Sequence, residues 1–424
     1  MVELTRRKFT QLAGASTAMG ILATPTLLQA ATPKVVVIGG GAGGATAARY
    51  VASGSKGAIN VTLIEPTKKY YTCFFSNLYL GGLRSYESLG HSYEKLAINY
   101  GINVVHEWAA AIDRDKKQVV ISSGSKVPYD RLIVSPGIDF RYDATPGYSI
   151  ASANVMPHAW KSGSQVQLLK ARIAAMKQGG TFVLVAPPNP YRCPPGPYER
   201  ASMIARIFSE TNPEAQIIIL DTKEKFSKQA LFREGWDNYY DGMIDWIPPS
   251  VHGGIINIDH KAMTIETDLD TFEADAACVI PAQTAGSIAR NAALADESGW
   301  CPIIPATMQS RLDENIHVIG DAAMATSMPK SGFSANSQAK VAAQAARHAL
   351  TGSKTFEPRF VNTCWSLIAP DDGVKVGATF RAGTDRIEPI KKFVSALGED
   401  PAIRKATYDE SSSWYDAITT DMFG

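Results

Sequence analysis

Five cysteines are the softest nucleophiles in this 424-residue chain: Cys73, Cys193, Cys278, Cys301 and Cys364. No two stand in C-x-x-C spacing, which argues against a zinc ribbon or a thioredoxin-type site. Five in a chain of this length are too few for a disulfide scaffold. Cys278 lies in the apolar run Ala276-Ala277-Cys278-Val279-Ile280 and reads as core. Cys301 follows Gly299-Trp300 and reads as a buried free thiol. Seven histidines form no H-x-x-x-H or similar cluster, so no protein metal site is expected.

A second chemistry is written in glycine. Gly39-Gly40-Gly41-Ala42-Gly43-Gly44 is G-x-G-x-x-G, the turn that cradles a dinucleotide pyrophosphate. Gly39 permits the tight turn, Gly41 lets the backbone approach the phosphates, and Gly44 lets helix and strand pack closely. The elements around it have the right order. Lys34–Ile38 is a β-branched strand run, and an Ala-rich helix is predicted from Ala45 to about Ser53. A second strand, Val61–Ile64, ends in Glu65, placed to bind a ribose hydroxyl. The helix N-terminus would meet the phosphates with free N–H groups.

Two later segments select FAD over NAD. Asn315-Ile316-His317-Val318-Ile319-Gly320-Asp321 is a strand ending in Gly-Asp. It resembles the second FAD motif of two-dinucleotide-domain flavoproteins, whose Asp binds the ribityl chain. Tyr129–Gly137 resembles the strand-and-glycine motif that closes their FAD domain, with Ser135-Pro136-Gly137 where Ala-Thr-Gly is usual. A helix predicted from about Ala335 to Leu350 would aim its N-terminus at the flavin pyrimidine. Lys330 ahead of it either stabilises negative charge on reduced flavin or is a solvated surface lysine.

A second βαβ unit lacks its phosphate turn. The strand Thr181–Ala186 leads into Pro187-Pro188-Asn189-Pro190-Tyr191-Arg192-Cys193-Pro194-Pro195-Gly196-Pro197, where prolines supply no N–H to a phosphate. A helix (Tyr198 to about Glu210) and a strand (Gln216–Leu220) follow. The unit is predicted to persist with NAD(P)H binding lost.

The whole-chain balance sets limits. Lys+Arg 42 against Asp+Glu 41 excludes a dedicated nucleic-acid binder, and 20% charged with 45% hydrophobic residues excludes wholesale disorder. Thr5-Arg6-Arg7-Lys8-Phe9, an uncharged run to about Leu28, and Leu28-Gln29-Ala30 read as a twin-arginine signal over residues 1–30, with an ordinary Sec signal as the alternative. That implies the periplasm. No other segment is long and apolar enough to span a membrane.

Tyr70-Tyr71-Thr72-Cys73, the segment Arg192–Arg200, Asn362-Thr363-Cys364, Pro329–Gly332, Ser334–Gln338, Ser413-Trp414-Tyr415 and Phe423-Gly424 together resemble one family. It is the flavoprotein subunit of flavocytochrome c sulfide dehydrogenase. The resemblance implies an α/β, glutathione-reductase-like fold with two dinucleotide-binding domains and a C-terminal interface domain. The FAD domain is expected at 32–150 and 279–350, an NAD-domain relic at 151–278, and the C-terminal domain at 351–424. It implies oxidation of sulfide to sulfur or polysulfide, with electrons passed to a c-type cytochrome subunit that carries haem c in a heterodimer. By the same resemblance Cys73 bonds covalently to FAD, and Cys193 and Cys364 form a redox-active disulfide beside it. Hydrosulfide can attack such a disulfide to give a persulfide and a thiolate. A merely structural bridge is the alternative. Glu199 is either an acid/base near the disulfide or a charge complementing its helix N-terminus. Trp414 matches a tryptophan close to the flavin, and core packing accounts for it equally well. Two rival readings stand: a sulfide:quinone oxidoreductase, and a non-catalytic FAD electron-transfer subunit.

Overall fold

The run Lys34–Ile38 forms β1, and its last four side chains are buried. Such a β-branched run suits a strand covered on both faces. In the computed structural model, which describes residues 31–424, the glycine turn leads directly into α1 (Ala42–Ser55). The signal expected over residues 1–30 lies outside the described residues. The helix starts three residues before the predicted Ala45. Gly43 and Gly44 are poor helix formers, but both are buried here, and packing overrides propensity. Strands β2 (Asn60–Ile64) and β3 (Asn103–Val105) extend the sheet on one side of β1, and β4 (Arg131–Val134) pairs on the other, all parallel.

The chain then builds a second sheet from β5 (Thr181–Val185), α2 (Gly196–Thr211), β6 (Gln216–Leu220), α3 (Gln229–Tyr239), β7 (Ile244–Ile247) and β8 (Ala276–Val279). Its four strands are parallel in the order β7-β6-β5-β8. The chain returns to the first sheet with β9 (Ile303–Ile304), β10 (Gln309–Ser310) and β11 (Asp313–Val318). Strand β11 lies parallel to β4, which gives seven strands in the order β9-β10-β11-β4-β1-β2-β3. The two passages between the sheets pair with each other, Ile138–Arg141 antiparallel to Ala282–Ala285.

Helix α4 (Gly332–Thr351) packs on α1. Its cap is Ser331, whose hydroxyl accepts from the Ser334 N–H. Three antiparallel strands follow, β12 (Arg359–Ala369), β13 (Asp372–Ala382) and β14 (Ile387–Val394). The last element is α5 (Pro401–Phe423), capped by Asp400 with Pro401 in its first turn. Helix α5 is pinned to the first sheet's helices through Asp421. That carboxylate meets Arg49 at 3.0 Å, Tyr50 at 2.8 Å, Asn336 at 2.9 Å and Lys340 at 2.8 Å. Pro33–Gly424 forms one compact α/β unit.

Candidate active site

The glycine turn ends β1 and opens onto a cleft of about 410 Å³. Gly39 has φ +93°, and a Cβ on it would lie 2.3 Å from the Ser135 carbonyl oxygen. A Cβ on Gly44 would lie 1.7 Å from the Gly39 carbonyl oxygen, so helix and turn touch only through glycine. Gly41 faces the cleft, where an added Cβ would meet nothing closer than the Tyr70 ring at 3.5 Å. Glu65, at the end of β2, also lines the cleft. Its carboxylate accepts from the Gly40 N–H at 2.8 Å and from the Thr67 N–H at 3.0 Å and hydroxyl at 2.7 Å. Gly320 and Asp321 line the opposite side, after β11. Gly320 is held by its N–H to Gln338 Oε1 at 2.8 Å. One Asp321 oxygen lies 3.6 Å from Arg192, and the other is buried with no partner among the described residues.

A smaller cavity of about 90 Å³ adjoins this cleft and contains Cys193, Cys364 and Glu199 in its lining. Cys73, Phe74, Arg192, Ser331 and Gly332 face both spaces and form the wall between them. Cys73 is placed from behind by Thr72, whose hydroxyl lies 3.0 Å from the Tyr415 hydroxyl on α5. Cys193 sits in the left-handed region at φ 59°, which costs a non-glycine residue about 1–3 kcal/mol. Two backbone bonds hold it there: its N–H donates to the Lys330 carbonyl at 2.8 Å, and its own carbonyl accepts from Gly196 at 2.8 Å. Cys364 arrives on β12, paired opposite Val376. The bridge expected between Cys193 and Cys364 is not formed in this structure, where all five cysteines are free thiols. The fold brings the two onto one cavity wall and anchors each separately.

Glu199 lies in the first turn of α2, and both its oxygens are engaged. Asn77 donates to one at 2.8 Å, and the Leu367 N–H donates to the other at 3.0 Å. Burial raises its carboxyl above the usual carboxylate range, opposed by those two bonds and by Lys228 and Arg200. The Lys228 ammonium donates to the Cys364 carbonyl at 3.0 Å and to the Ser366 hydroxyl at 2.8 Å. Burial brings it down to about 8. Arg200 is fully buried beneath the cavity. It ties the His158 and Ala159 carbonyls at 3.0 and 2.8 Å and contacts Cys278 Sγ at 3.1 Å.

Comparison with known proteins fits this geometry. Residues 166–281 match the family model "Sulfide dehydrogenase [flavocytochrome c] flavoprotein chain, central". Residues 356–423 match "Flavocytochrome c sulphide dehydrogenase, flavin-binding", and 33–175 match "Pyridine nucleotide-disulphide oxidoreductase". The sulfide dehydrogenase [flavocytochrome c] flavoprotein chain of Chlorobaculum thiosulfatiphilum is 50% identical over 46 residues, which are 11% of this chain and 94% of that one. The chain belongs to the sulfide-oxidising flavoproteins. The mitochondrial sulfide:quinone oxidoreductase of Mus musculus is 26% identical over 73% of this chain and 68% of its own length. The solved sulfide:quinone oxidoreductase of Aquifex aeolicus shares the fold, with TM-score 0.69 and 19% identity over 92% of each chain.

The cleft of this flavoprotein suits FAD. The orphaned Asp321 oxygen stands where a ribityl hydroxyl needs an acceptor, and Gly41 leaves the backbone open to a pyrophosphate. Gly39, Gly41, Glu65, Cys73, Gly320 and Asp321 all line the cleft, whereas Gly44 acts beneath it in packing. One expectation is corrected. The Lys330 ammonium neither faces the cleft nor is solvated. It donates to the Asp321 and Ala323 carbonyls at 2.7 and 3.0 Å and lies 3.6 Å above the Trp300 ring, and burial brings it down to about 8. Trp414 lines the cysteine cavity, 5.0 Å from the Trp365 ring and 5.6 Å from that of Phe74, which faces both spaces; its indole N–H has no partner among the described residues. Cys278 and Cys301 are fully buried, as the sequence predicts.

On the second sheet, Asp221 ends β6 where a nucleotide-binding acid would stand. Its carboxylate is already saturated, by Tyr198 at 2.5 Å, Trp246 at 2.9 Å and Lys223 at 2.6 Å. Four residues of the site receive no role from the sequence: Asn77 and Lys228, which stand in no quoted motif, and Arg192 and Asn362, which stand in motifs quoted for their cysteines. Only Asn362 carries a local signal, because it precedes Cys364 by two positions on one strand and so shares its face.

Proposed function

We propose that this protein is a sulfide dehydrogenase flavoprotein that oxidises sulfide at Cys193 and Cys364 and passes the electrons to a c-type cytochrome partner carrying haem c. The observation that carries the reading is the shared wall. The two thiols line one small cavity, and Cys73, Phe74, Arg192, Ser331 and Gly332 separate it from the FAD cleft by one layer of residues. In the oxidised state the two sulfurs form a disulfide. Hydrosulfide attacks one sulfur, forms a persulfide there and leaves the electron pair on the other as a thiolate. A second hydrosulfide takes the outer sulfur away as hydrogen disulfide and leaves the first cysteine a thiol. FAD bound in the adjoining cleft, attached through Cys73, is the oxidant that accepts electrons in pairs and releases them singly. Glu199, which lines the cavity with its carboxyl raised by burial, takes the proton of hydrogen sulfide. The proline loop and the saturated Asp221 support an electron supply other than NAD(P)H. The sequence of residues 1–30 supports export to the periplasm.

A quinone acceptor is the second reading, favoured by the likeness to sulfide:quinone oxidoreductases. Among the described residues no helix is long and apolar enough to cross a membrane. Anaerobic titration with sulfide tests the core of the proposal: it bleaches the flavin of the wild type and leaves that of Cys193→Ser and Cys364→Ser oxidised. Sulfide reduction of both variants at the wild-type rate would rule out the dithiol. Mixing the reduced protein with cytochrome c or with a soluble quinone then separates the two acceptors.

A further inference from the structure

The two sulfurs of the cavity are not held alike. Asn362 Nδ2 donates to Cys364 Sγ at 3.4 Å. The orientation of that amide is fixed by its other end. The Ser334 N–H donates to Ser331 Oγ at 3.0 Å, which leaves the Ser331 hydroxyl proton to donate to Asn362 Oδ1 at 2.5 Å. With Oδ1 committed as the acceptor, Nδ2 is the atom turned to the sulfur. A second support comes from across the sheets. Lys228 caps α3 at φ 63° and sets its ammonium against the Cys364 carbonyl and the Ser366 hydroxyl. Cys193 has Arg192, Glu199 and Cys73 around it, and among the described residues no side chain donates to its sulfur.

We propose that Asn362 and Lys228 are positioning residues that make Cys364 the sulfur left as thiolate when hydrosulfide opens the Cys193–Cys364 disulfide. Attack is thereby directed to Cys193, and the inference rests on the sulfide-oxidising reading above. The new S–S bond joins the incoming sulfur to Cys193, the Cys193–Cys364 bond breaks, and its electron pair stays on Cys364 Sγ. The proton of hydrosulfide remains on the outer sulfur of the persulfide. The better-stabilised thiolate is the better leaving group. Burial pushes both thiols up, Cys193 well above the ordinary range, where Cys364, Glu199 and Cys73 add to it and the Arg192 charge opposes it. At Cys364 the Asn362 bond and the Lys228 charge oppose that burial, while Glu199 reinforces it.

The flavoprotein is reduced anaerobically with dithiothreitol and alkylated with iodoacetamide across a pH series. The Cys193 and Cys364 peptides are quantified by mass spectrometry. In the wild type Cys364 reaches half-alkylation at the lower pH. Asn362→Leu and Lys228→Met each move the Cys364 midpoint up by about one unit, a tenfold slower alkylation below both midpoints, and leave that of Cys193 in place. Lys228→Arg restores the wild-type midpoint. Asn362→Asp, nearly isosteric, moves it further up and covers the case in which the leucine variant fails to fold. Unchanged Cys364 midpoints in the folded variants, or a lower midpoint at Cys193, overturn the proposal even if sulfide still bleaches the flavin. A wild type that sulfide leaves oxidised overturns the functional reading alone, and the midpoints still decide the assignment of the two thiols.

Discussion

Gly44 and Gly41 stand three residues apart in one turn, yet an alanine at each should fail in a different way. A Cβ on Gly44 would lie 1.7 Å from the Gly39 carbonyl oxygen and 2.9 Å from its carbon. Backbone cannot rotate aside as a side chain can. Restoring a 3.4 Å contact therefore requires α1 to withdraw from β1 by about 1.7 Å. Overpacking of this kind costs about 1–3 kcal/mol, and a backbone clash belongs at the upper end. Gly44→Ala should thus lose about 3 kcal/mol and its flavin together. At Gly41 the added Cβ makes ordinary contact with Tyr70 at 3.5 Å, and its φ of −76° suits alanine. The methyl nevertheless stands in the path of the pyrophosphate. Gly41→Ala should lose flavin and keep the fold. Because both variants are flavin-poor, the difference between them isolates the clash. The assay is flavin absorbance per chain, with urea unfolding followed by tryptophan fluorescence. Equal unfolding midpoints for the two variants would refute the packing argument. Full flavin in Gly41→Ala would show that the phosphates lie elsewhere.

Three further outcomes are expected. Flavin should migrate with the denatured wild-type chain and be released from Cys73→Ser; flavin retained by that variant would exclude Cys73 as the anchor. NADH and NADPH should not bleach the flavin in stopped-flow mixing, and rapid saturable bleaching by either would show that the proline loop was misread. Burial holds His158 at about 3 and His317 at about 4, against 6.5 for the free side chain. The unfolded chain takes up those protons near pH 6.5, whereas the folded chain waits until pH 3–4, so stability is lost as the pH falls through that window. His317→Gln should flatten the fall in urea midpoint between pH 7 and pH 4.5. An unchanged slope would mean that His317 is charged in the folded protein.

Local patterns made much of the framework legible. β1 and β6 match their predicted runs to the residue, since a buried parallel strand is a β-branched run with sharp ends. Helices α1, α2 and α4 each begin two or three residues before prediction, inside glycine- or proline-bearing turns that propensity alone disfavours. Helix α5 went unread because few apolar residues mark its face. Its buried positions include Arg404, Thr407 and Ser411. The FAD cleft was legible because its turn and its Gly-Asp are contiguous motifs. The supports of the cysteines were not. Lys228 reaches Cys364 across 136 positions, and Asn77 reaches Glu199 across 122, distances at which only the closed fold says who meets whom. Lys330 misled because a lysine near a helix N-terminus suggests a ligand, whereas two carbonyls and the Trp300 ring were nearer partners.

The saturated carboxylate of Asp221 also limits how the second sheet can change. Turning it toward a nucleotide ribose would strand the Tyr198 hydroxyl and the Trp246 N–H, while Lys223 would keep only its bond to the Pro187 carbonyl at 2.7 Å. Each buried donor left without a partner costs about 1–3 kcal/mol, out of a total stability on the order of 5–15 kcal/mol for a typical protein. Removing one donor at a time does not free the acid, because the remaining two still hold it. Each single replacement that turned the acid outward would therefore leave the chain less stable than it stands. Ordinary selection for a folded protein is enough to keep the acid turned inward: the second sheet works as a ratchet that holds its internal bonds.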